Sequence, residues 1–313
     1  MAMAFASQHG RSTRWLAGAL ATLLAGCGGC SVQRERGAKA PPAEGSPTQV
    51  TVRPVYETAG PADPFAARLC QALYARPEEQ RAKCCASSPG IALTDPCVGV
   101  LSAALRSKAL VLESASLEAC ELALAHAYAG CEWVGAFGPP FPSECQSLFM
   151  GRRALGEECR SSLECAGRLL CAGAGPTDLG RCSLPGEKGA SCSTAVDPLA
   201  AYTRQDLDRS HPQCLGLCRQ HRCEAALPAG AICEASQQCP LGQRCAGGQC
   251  AEGLAPEGQS CSGGDCAMGL RCLQGKCFLP LAAGATCSTD FECRGGCLAE
   301  AGARRCGMRC SLR

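Results

Sequence analysis

Apolar residues at helical spacing predict the first of several short helices between residues 64 and 150. Asp63-Pro64 supplies an amino-terminal cap and a residue suited to the first turn, and Phe65, Leu69 and Leu73 then fall on one face. The apolar period fades near Ala75, so this helix is predicted to end there.

Three further helices carry similar start and stop signals. Pro77-Glu78-Glu79 places acidic residues at the positive end of a second helix, and Asp95-Pro96 opens a third. A fourth runs from about Ser116 to Ala129 and stops before Gly130, which has left-handed freedom. Residues 64–150 are therefore predicted to form a small all-helical module braced by disulfides. Its cysteines are Cys70, Cys84, Cys85, Cys97, Cys120, Cys131 and Cys145.

From residue 156 onward the helical period gives way to a repeat of Gly-x-x-Cys followed by three more cysteines. The repeats begin near residues 156, 189, 230, 258 and 284, so the region 151–313 holds five tandem four-cysteine repeats. In repeats one, three and four a glycine (Gly180, Gly248, Gly275) stands two positions before the fourth cysteine. A glycine there suits a chain reversal, which predicts a short β-hairpin in each repeat.

Composition explains how such small repeats could be stable. The chain has 30 cysteines but only two tryptophans, four tyrosines and seven phenylalanines among 313 residues. A repeat without large apolar side chains cannot bury enough surface, whereas a disulfide that closes a loop near 15 residues offsets about 3 kcal/mol of chain entropy. The predicted fold is therefore a row of disulfide-rich repeats with little regular structure, following the helical module. Such scaffolds persist in oxidising compartments, which predicts export.

The first residues carry an export signal of a particular kind. Arg11 and Arg14 precede a short apolar run, the layout of a signal peptide over residues 1–26. The run ends in Leu24-Ala25-Gly26-Cys27, which resembles the lipobox of bacterial lipoproteins and implies that Cys27 is the lipidated mature amino terminus. Gly28 follows, which by analogy with enteric lipoproteins favours the outer membrane. The alternative is an ordinary secretory signal with a chance cysteine.

Residues 27–63 are predicted to be the lipidated cysteine and a flexible tether. Prolines recur among Gly, Ala and charged residues, and no apolar period marks a core face. The folded part is then expected to begin at residue 64.

The repeats at Cys261–Cys277 and Cys287–Cys306 resemble the cysteine-rich fold shared by Dickkopf proteins and colipase. The resemblance covers residues 156–310 and rests mainly on cysteine spacing. In the animal relatives this fold binds protein partners and performs no catalysis. The five tandem copies and the insertion between Cys192 and Cys214 depart from that family, so its particular activities are not transferred.

Spacing alone leaves three pairings open in each four-cysteine repeat. The resemblance implies that the first cysteine joins the third and the second joins the fourth. The implied pairs are Cys159–Cys171, Cys165–Cys182, Cys192–Cys218, Cys214–Cys223, Cys233–Cys245, Cys239–Cys250, Cys261–Cys272, Cys266–Cys277, Cys287–Cys297 and Cys293–Cys306. Of the remainder, Cys30 is expected to be free, and Cys310 is expected to join the helical module at Cys145.

No catalytic, cofactor or metal site is predicted. Cysteine spacings of three to five residues suit cystines better than thiolate ligands for zinc. His126, His211 and His221 lack a recognisable nucleophile frame and are interpreted as solvated or packing residues. Asp206 and Asp208 lack the glycine and glutamate of a calcium loop, so the insertion over residues 193–213 is interpreted as an exposed surface loop.

Basic residues precede the fourth cysteine in four repeats: Arg181, Arg222, Lys276 and Arg305. They could form a stripe that binds anionic polysaccharide, but solvated turn residues are the stronger interpretation. The net charge of +2 gives no support for a nucleic-acid partner.

The sequence favours a non-enzymatic binding or structural module tethered to the cell envelope, in which a rod of repeats presents loops to an unknown protein or glycan. The alternative is a secreted inhibitor or accessory protein of an extracellular enzyme, which a solvent-exposed reactive loop would favour.

Overall fold

The computed structural model describes residues 54–310 except 194, 195, 235, 241, 242, 262–265, 268 and 301. The predictions for the signal peptide, Cys27, Cys30 and the tether up to residue 53 lie outside the described residues.

A long helical segment opens the described chain. The carboxylate of Asp63 accepts hydrogen bonds from the N–H groups of Phe65 (2.9 Å) and Ala66 (3.3 Å), which caps α1 (Pro64–Cys70) as predicted. The helix does not end at Ala75. It continues through a π-helical turn (Gln71–Ala75) into α2 (Arg76–Cys85). Pro77 has no N–H for a regular helical ladder, and the wider π turn accommodates it.

The module also contains a small sheet, so the prediction of an all-helical module is wrong in this respect. Helices α3 (Thr94–Arg106) and α4 (Ser114–Ala127) flank strand β1 (Leu110–Leu112). After a 3₁₀ turn (Ser143–Cys145), strand β2 (Phe149–Gly151) pairs antiparallel with β1. Leu110 and Leu112 of β1 are buried and Val111 between them is half-buried, the alternation of a half-buried strand.

The main apolar core lies between these elements and receives residues from outside the module. It holds Leu69, Leu101 and Leu117, all fully buried, together with Leu163 of repeat one and Leu199 of repeat two. Helix α5 (Pro198–Thr203), which carries Leu199, packs on α3 and is followed by α6 (Leu207–Ser210). The predicted surface loop over residues 193–213 is therefore wrong for these helices, because α5 supplies core side chains.

Each repeat builds a two-stranded antiparallel hairpin, and repeat one adds a third strand, β3 (Glu158–Cys159), beside β5. The hairpin strands are β4 (Leu170–Ala172) with β5 (Gly180–Ser183), β6 (Leu217–Arg219) with β7 (Arg222–Glu224), β8 (Gln243–Ala246) with β9 (Gln249–Glu252), β10 (Arg271–Leu273) with β11 (Lys276–Phe278), and β12 (Gly296–Glu300) with β13 (Ala303–Gly307). Gly248 and Gly275 lie in the turns as predicted. Gly180 instead lies in β5, because repeat one uses a longer connection.

The glycine of every Gly-x-x-Cys motif has a positive φ, from 77° in Gly230 to 90° in Gly189. A Cβ at any of the five would meet nothing within 4 Å, so the backbone conformation and not crowding requires glycine. This conformation lets its N–H donate to the carbonyl of the fourth cysteine, at 2.7–2.9 Å in all five repeats. The motif thus ties the start of each repeat to its last strand.

The structure joins the first cysteine to the third and the second to the fourth in all five repeats, the pairing that the resemblance implied. The Cα atoms of these pairs are 5.3–5.9 Å apart, within the range that a disulfide spans. In repeats one, three and five the buried apolar cluster consists of the four cysteines alone. Cystine replaces a conventional core there.

Four disulfides brace the helical module: Cys70–Cys97, Cys84–Cys131, Cys85–Cys310 and Cys120–Cys145. The expected Cys145–Cys310 pair is wrong. Cys145 is fully buried against α4 and pairs with Cys120, whereas the exposed Cys310 meets the end of α2 at Cys85.

The repeats do not extend away as a rod, because repeat five returns to the helical module. Besides Cys85–Cys310, the N–H of Arg309 donates to the carbonyl of Val134 at 2.8 Å. A Cβ on Gly135 would lie 1.9 Å from the carbonyl oxygen of Gly295, so the two backbones touch. The chain thus leaves the helical module through the repeats and returns to it, and Cys85–Cys310 closes this path covalently; we refer to the closed path as the ring.

The folded part begins before the predicted boundary at residue 64. Val55 donates its N–H to the carbonyl of Pro176 at 3.0 Å, and Tyr56 is buried in the main core. The N–H of Asp63 bonds the hydroxyl of Ser102 on α3 at 2.9 Å. Residues 55–63 are thus part of the fold and not of the tether.

Candidate functional site between the amino-terminal segment and repeat one

A cleft of about 430 Å³ lies where the amino-terminal segment crosses the end of α3 and repeat one. This volume is within the range typical of small-ligand sites. Its walls are Pro54, Val55, Tyr56, Glu57, Ala59, Ala103, Arg106, Ser107, Arg160, Thr177 and Leu179. We refer to it as the segment cleft.

Two arginines hold the amino-terminal segment in place along this cleft. Arg106, in the last turn of α3, donates from Nη1 to the carbonyl of Pro61 at 2.7 Å and from Nη2 to that of Glu57 at 3.3 Å. Arg160 of repeat one donates from Nε to the carbonyl of Val55 at 3.2 Å. The backbone of the segment therefore positions both guanidinium groups at the cleft.

A buried carboxyl lies behind Arg160. Glu164 is fully buried and accepts hydrogen bonds from the hydroxyl of Tyr56 at 3.1 Å and from the N–H of Arg160 at 2.9 Å. Burial raises the pKa of Glu164, although these bonds and the charge of Arg160 oppose that shift. Burial, followed by the charge of Glu164, also raises the pKa of Tyr56. The hydroxyl of Tyr56 and the carboxylate of Glu164 are hydrogen-bonded to each other, so this pair fixes Tyr56 against repeat one.

Two further side chains, the half-buried Asp197 and the buried His211, join the insertion to repeat one. Asp197 caps α5 through the N–H of Ala200 at 3.1 Å, and its other oxygen accepts from the N–H of Ser162 at 2.9 Å. The ring of His211 lies 2.9 Å from the hydroxyl of Ser210 and also hydrogen-bonds the backbone of Cys165. Burial lowers the pKa of His211, and the charge of Asp197 partly offsets this.

All four carboxylate oxygens of Glu164 and Asp197 accept bonds from Tyr56 or from backbone N–H groups. These bonds fix the buried cluster behind the walls of the segment cleft.

These two pKa shifts predict opposite pH dependences. The folded-state pKa of His211 is below its unfolded value, so the native chain loses stability as the pH falls below about 6.5. His211→Gln should abolish this loss. The raised pKa of Glu164 has the opposite effect on the free energy of unfolding. Its stabilising contribution is present at low pH and is lost as the pH rises through the folded-state pKa. The urea midpoint of the oxidised native chain should therefore fall more between pH 7 and pH 5 than that of the His211→Gln chain.

Glu164→Gln is the matched variant for this measurement, because it keeps the shape of the side chain and removes its titration. The Glu164→Gln chain should lose more stability than the native chain as the pH falls, because it lacks the opposing contribution of Glu164. An unchanged pH profile in both variants would contradict the assignment of these groups.

The other sequence candidates do not come together in one site. Asp206 and Asp208 are exposed on either side of Leu207, and His126 is exposed on α4. His221 lies in the turn between β6 and β7 with a φ of 61°. Cys27 and Cys30 lie outside the described residues.

The basic residue before the fourth cysteine has a structural partner in three repeats. Nη1 of Arg181, Arg222 and Arg305 donates to the carbonyl of the motif glycine in the same repeat, at 2.9, 3.1 and 2.8 Å. These arginines are therefore hydrogen-bonded parts of the repeat, a role that neither interpretation of the sequence included. Their side chains are nonetheless exposed.

A second repeated contact was missed in the sequence. The residue before the second cysteine accepts a bond from the N–H of the residue after the first cysteine, at 2.7–2.9 Å. The acceptors are Glu164, Gln213, Gln238 and Glu292. The signal is visible as Glu, Gln or Asp at this position in all five repeats. The Asp265 of repeat four lies outside the described residues.

In every repeat, three sulfur atoms lie within 4.8 Å of one another, a spacing that thiolates could use for a metal. Each of these sulfurs belongs to a disulfide. Zinc binds the deprotonated thiolate, and a cystine sulfur has no such charge to offer. The five clusters therefore serve as cores in the oxidised chain.

Comparisons of the chain with protein-family models, curated proteins and solved structures gave no match. Within the described part of the chain, no helix has both the length and the apolar character needed to cross a bilayer.

Proposed function

We propose that this chain is an exported, envelope-anchored binding module without catalytic activity. The observation that carries the proposal is the closure of the disulfide set: all 28 cysteines of the described residues pair with one another in fourteen disulfides. Such a set forms and persists in an oxidising compartment.

A closed and cross-linked ring suits binding. Surfaces held by disulfides lose little conformational entropy when a partner docks, so more of the contact energy remains as affinity. The Dickkopf-like interpretation of the repeats points to the same role, since that family binds protein partners. A direct test is to immobilise the oxidised chain and a reduced, alkylated chain beside it. An envelope component retained by the oxidised form alone supports the proposal, and equal retention by both contradicts it.

The closed disulfide set also supports the proposed anchor. With 28 cysteines paired among themselves, only Cys27 and Cys30 of the 30 in the sequence are left. Cys27 is thus available for the diacylglycerol that the lipobox implies. Gly28 favours placement in the outer membrane.

Cys27→Ala is expected to abolish anchoring. The native chain should partition into the detergent phase of Triton X-114, whereas the variant should remain unprocessed or appear in the aqueous phase. The measurement is the partition ratio together with the mass of the amino-terminal peptide. Cys30→Ala is the matched control and should leave the partition unchanged. An unmodified mature amino terminus elsewhere in the native chain would refute the anchor.

The inhibitor alternative requires a reactive loop that projects into solvent. The connection in repeat one, residues 173–179, is the longest of the hairpin connections that the structure describes. It is pinned by the bond from Val55 to Pro176 and by an internal bond from the N–H of Gly175 to the carbonyl of Asp178 at 3.1 Å. Residues 176–179 are exposed, so this connection is the segment of the described chain that the inhibitor alternative would use.

A further inference from the structure

The segment cleft contains two arginines, of which Arg160 interacts electrostatically with the buried Glu164 behind it. Neither Arg106 nor Arg160 forms an ion pair with a carboxylate among the described residues. Arg160 bonds Val55 through Nε, and neither of its Nη groups has a hydrogen-bond partner among the described residues. A planar guanidinium fixed by backbone contacts is suited to a carboxylate.

The rest of the cleft restricts the ligand. Val55, Ala59, Ala103 and the half-exposed Leu179 form apolar walls beside the two arginines. Glu57 contributes one negative charge at an exposed position, so the charged lining residues sum to +1. The carboxyl-terminal end of α3 reaches the cleft at Ser107, where its dipole opposes any anion, so a single negative charge suits the two guanidinium groups better than the double charge of a phosphate.

We propose that the segment cleft binds an apolar monocarboxylate, with the carboxylate on Arg160 and Arg106 and the apolar body against Leu179 and Val55. Such a ligand is either a free organic acid or the carboxyl terminus of a peptide with an apolar last residue, two sources that share this chemistry. The inference rests on the proposed binding function and names the ligand class for this cleft.

Calorimetric titration of the purified, oxidised full chain in detergent tests the proposal. The probes are hexanoate, N-acetyl-Ala-Leu as the free acid, and N-acetyl-Ala-Leu as the amide. The free acids are expected to bind at least tenfold more tightly than the amide, because the amide cannot pair with the guanidinium groups. Tighter binding of the peptide acid than of hexanoate identifies a peptide terminus as the source, and equal binding identifies the free acid. Equal affinity for the acid and amide forms of the peptide would overturn the proposal.

Two pairs of variants locate the site. Arg160→Gln should weaken binding at least tenfold, whereas Arg152→Gln removes an equal charge from an exposed position outside the cleft and should leave affinity unchanged. Leu179→Asp places a negative charge, of the same sign as the carboxylate ligand, at the apolar wall of the cleft. Leu184→Asp is its control, because Leu184 is an exposed leucine that does not line the cleft. Since both leucines are exposed, folding should survive each change. Binding that is unaffected by Leu179→Asp would place the ligand elsewhere. Failure of anchoring in the Cys27 test would leave these results intact, so the two proposals fail separately.

Discussion

Reduction of the fourteen described disulfides is expected to unfold residues 156–310 while part of the helical module stays folded. In oxidised protein at 37 °C, trypsin should cut little between residues 156 and 310. After reduction and alkylation the same region should be digested to small peptides within minutes. Peptides from residues 64–127 should persist longer than those from the repeats.

The difference follows from what each region buries. The main core contains Leu69, Leu101, Leu117, Leu124 and other apolar side chains, whose burial stabilises the module in addition to its disulfides. The repeats bury mostly cysteine, with Cys233, Cys239, Cys245 and Cys250 forming the whole cluster of repeat three. Each repeat disulfide offsets about 2–4 kcal/mol of chain entropy, and ten of them exceed the 5–15 kcal/mol that stabilises a typical domain.

Mass mapping of limited proteolysis time courses distinguishes the two regions. Alkylated protein that was never reduced is the control and should match the untreated chain. If the reduced repeats resist trypsin as well as the oxidised repeats, the view that cystines form their core is wrong.

The features that the sequence could predict are those encoded within one repeat or one helix. The Gly-x-x-Cys motif could be recognised because both of its structural roles lie within one repeat. The glycine has a positive φ, and its N–H bonds the carbonyl of the fourth cysteine of the same repeat. The Asp63 cap and the glycine turns at Gly248 and Gly275 are local for the same reason.

The features that were missed depend on contacts between distant parts of the chain. Tyr56 and Glu164 are 108 residues apart, and neither one shows from its neighbours that it is buried. Helix α5 has only a short apolar run around Leu199, too short for a helical period to reveal a core contact. The partner of Cys310 had seven candidates in the helical module, and spacing does not choose among them.

The candidate site could not be predicted for the same reason, because its residues come from distant parts of the chain. Arg106 and Arg160 come from a helix end and from a repeat, and only the crossing of the amino-terminal segment brings them to one cleft. The composition of residues 54–63 resembles that of a linker. Its order comes from hydrogen bonds to Arg106, Ser102 and Pro176, which lie on other elements.

Removal of the closing disulfide by the double change Cys85→Ser and Cys310→Ser is expected to open the ring without unfolding its parts. The disulfide joins residues 225 apart. A loop of that length would by itself correspond to about 5 kcal/mol of chain entropy, but the other disulfides shorten the free path, so we expect a loss of about 2–4 kcal/mol. For a chain of this size that loss lowers the midpoint of thermal unfolding by roughly 5–10 °C.

Hydrogen exchange locates the opening. Protection should fall at the N–H of Arg309, which donates to the carbonyl of Val134, and around the contact between Phe137 and Phe291, whose ring centroids are 5.3 Å apart. Protection of the Tyr56–Glu164 region should not change, because it lies at the other junction of the ring with repeat one.

The double change Cys214→Ser and Cys223→Ser is the matched control. That disulfide closes a separation of only 9 residues inside repeat two, so its loss should deprotect repeat two and leave the Val134 and Phe291 regions closed. The ring interpretation requires the opposite pattern in the Cys85 and Cys310 variant. Unchanged protection of residues 131–138 and 291–309 in that variant would mean that noncovalent contacts alone close the ring, and the covalent closure would then have no structural role.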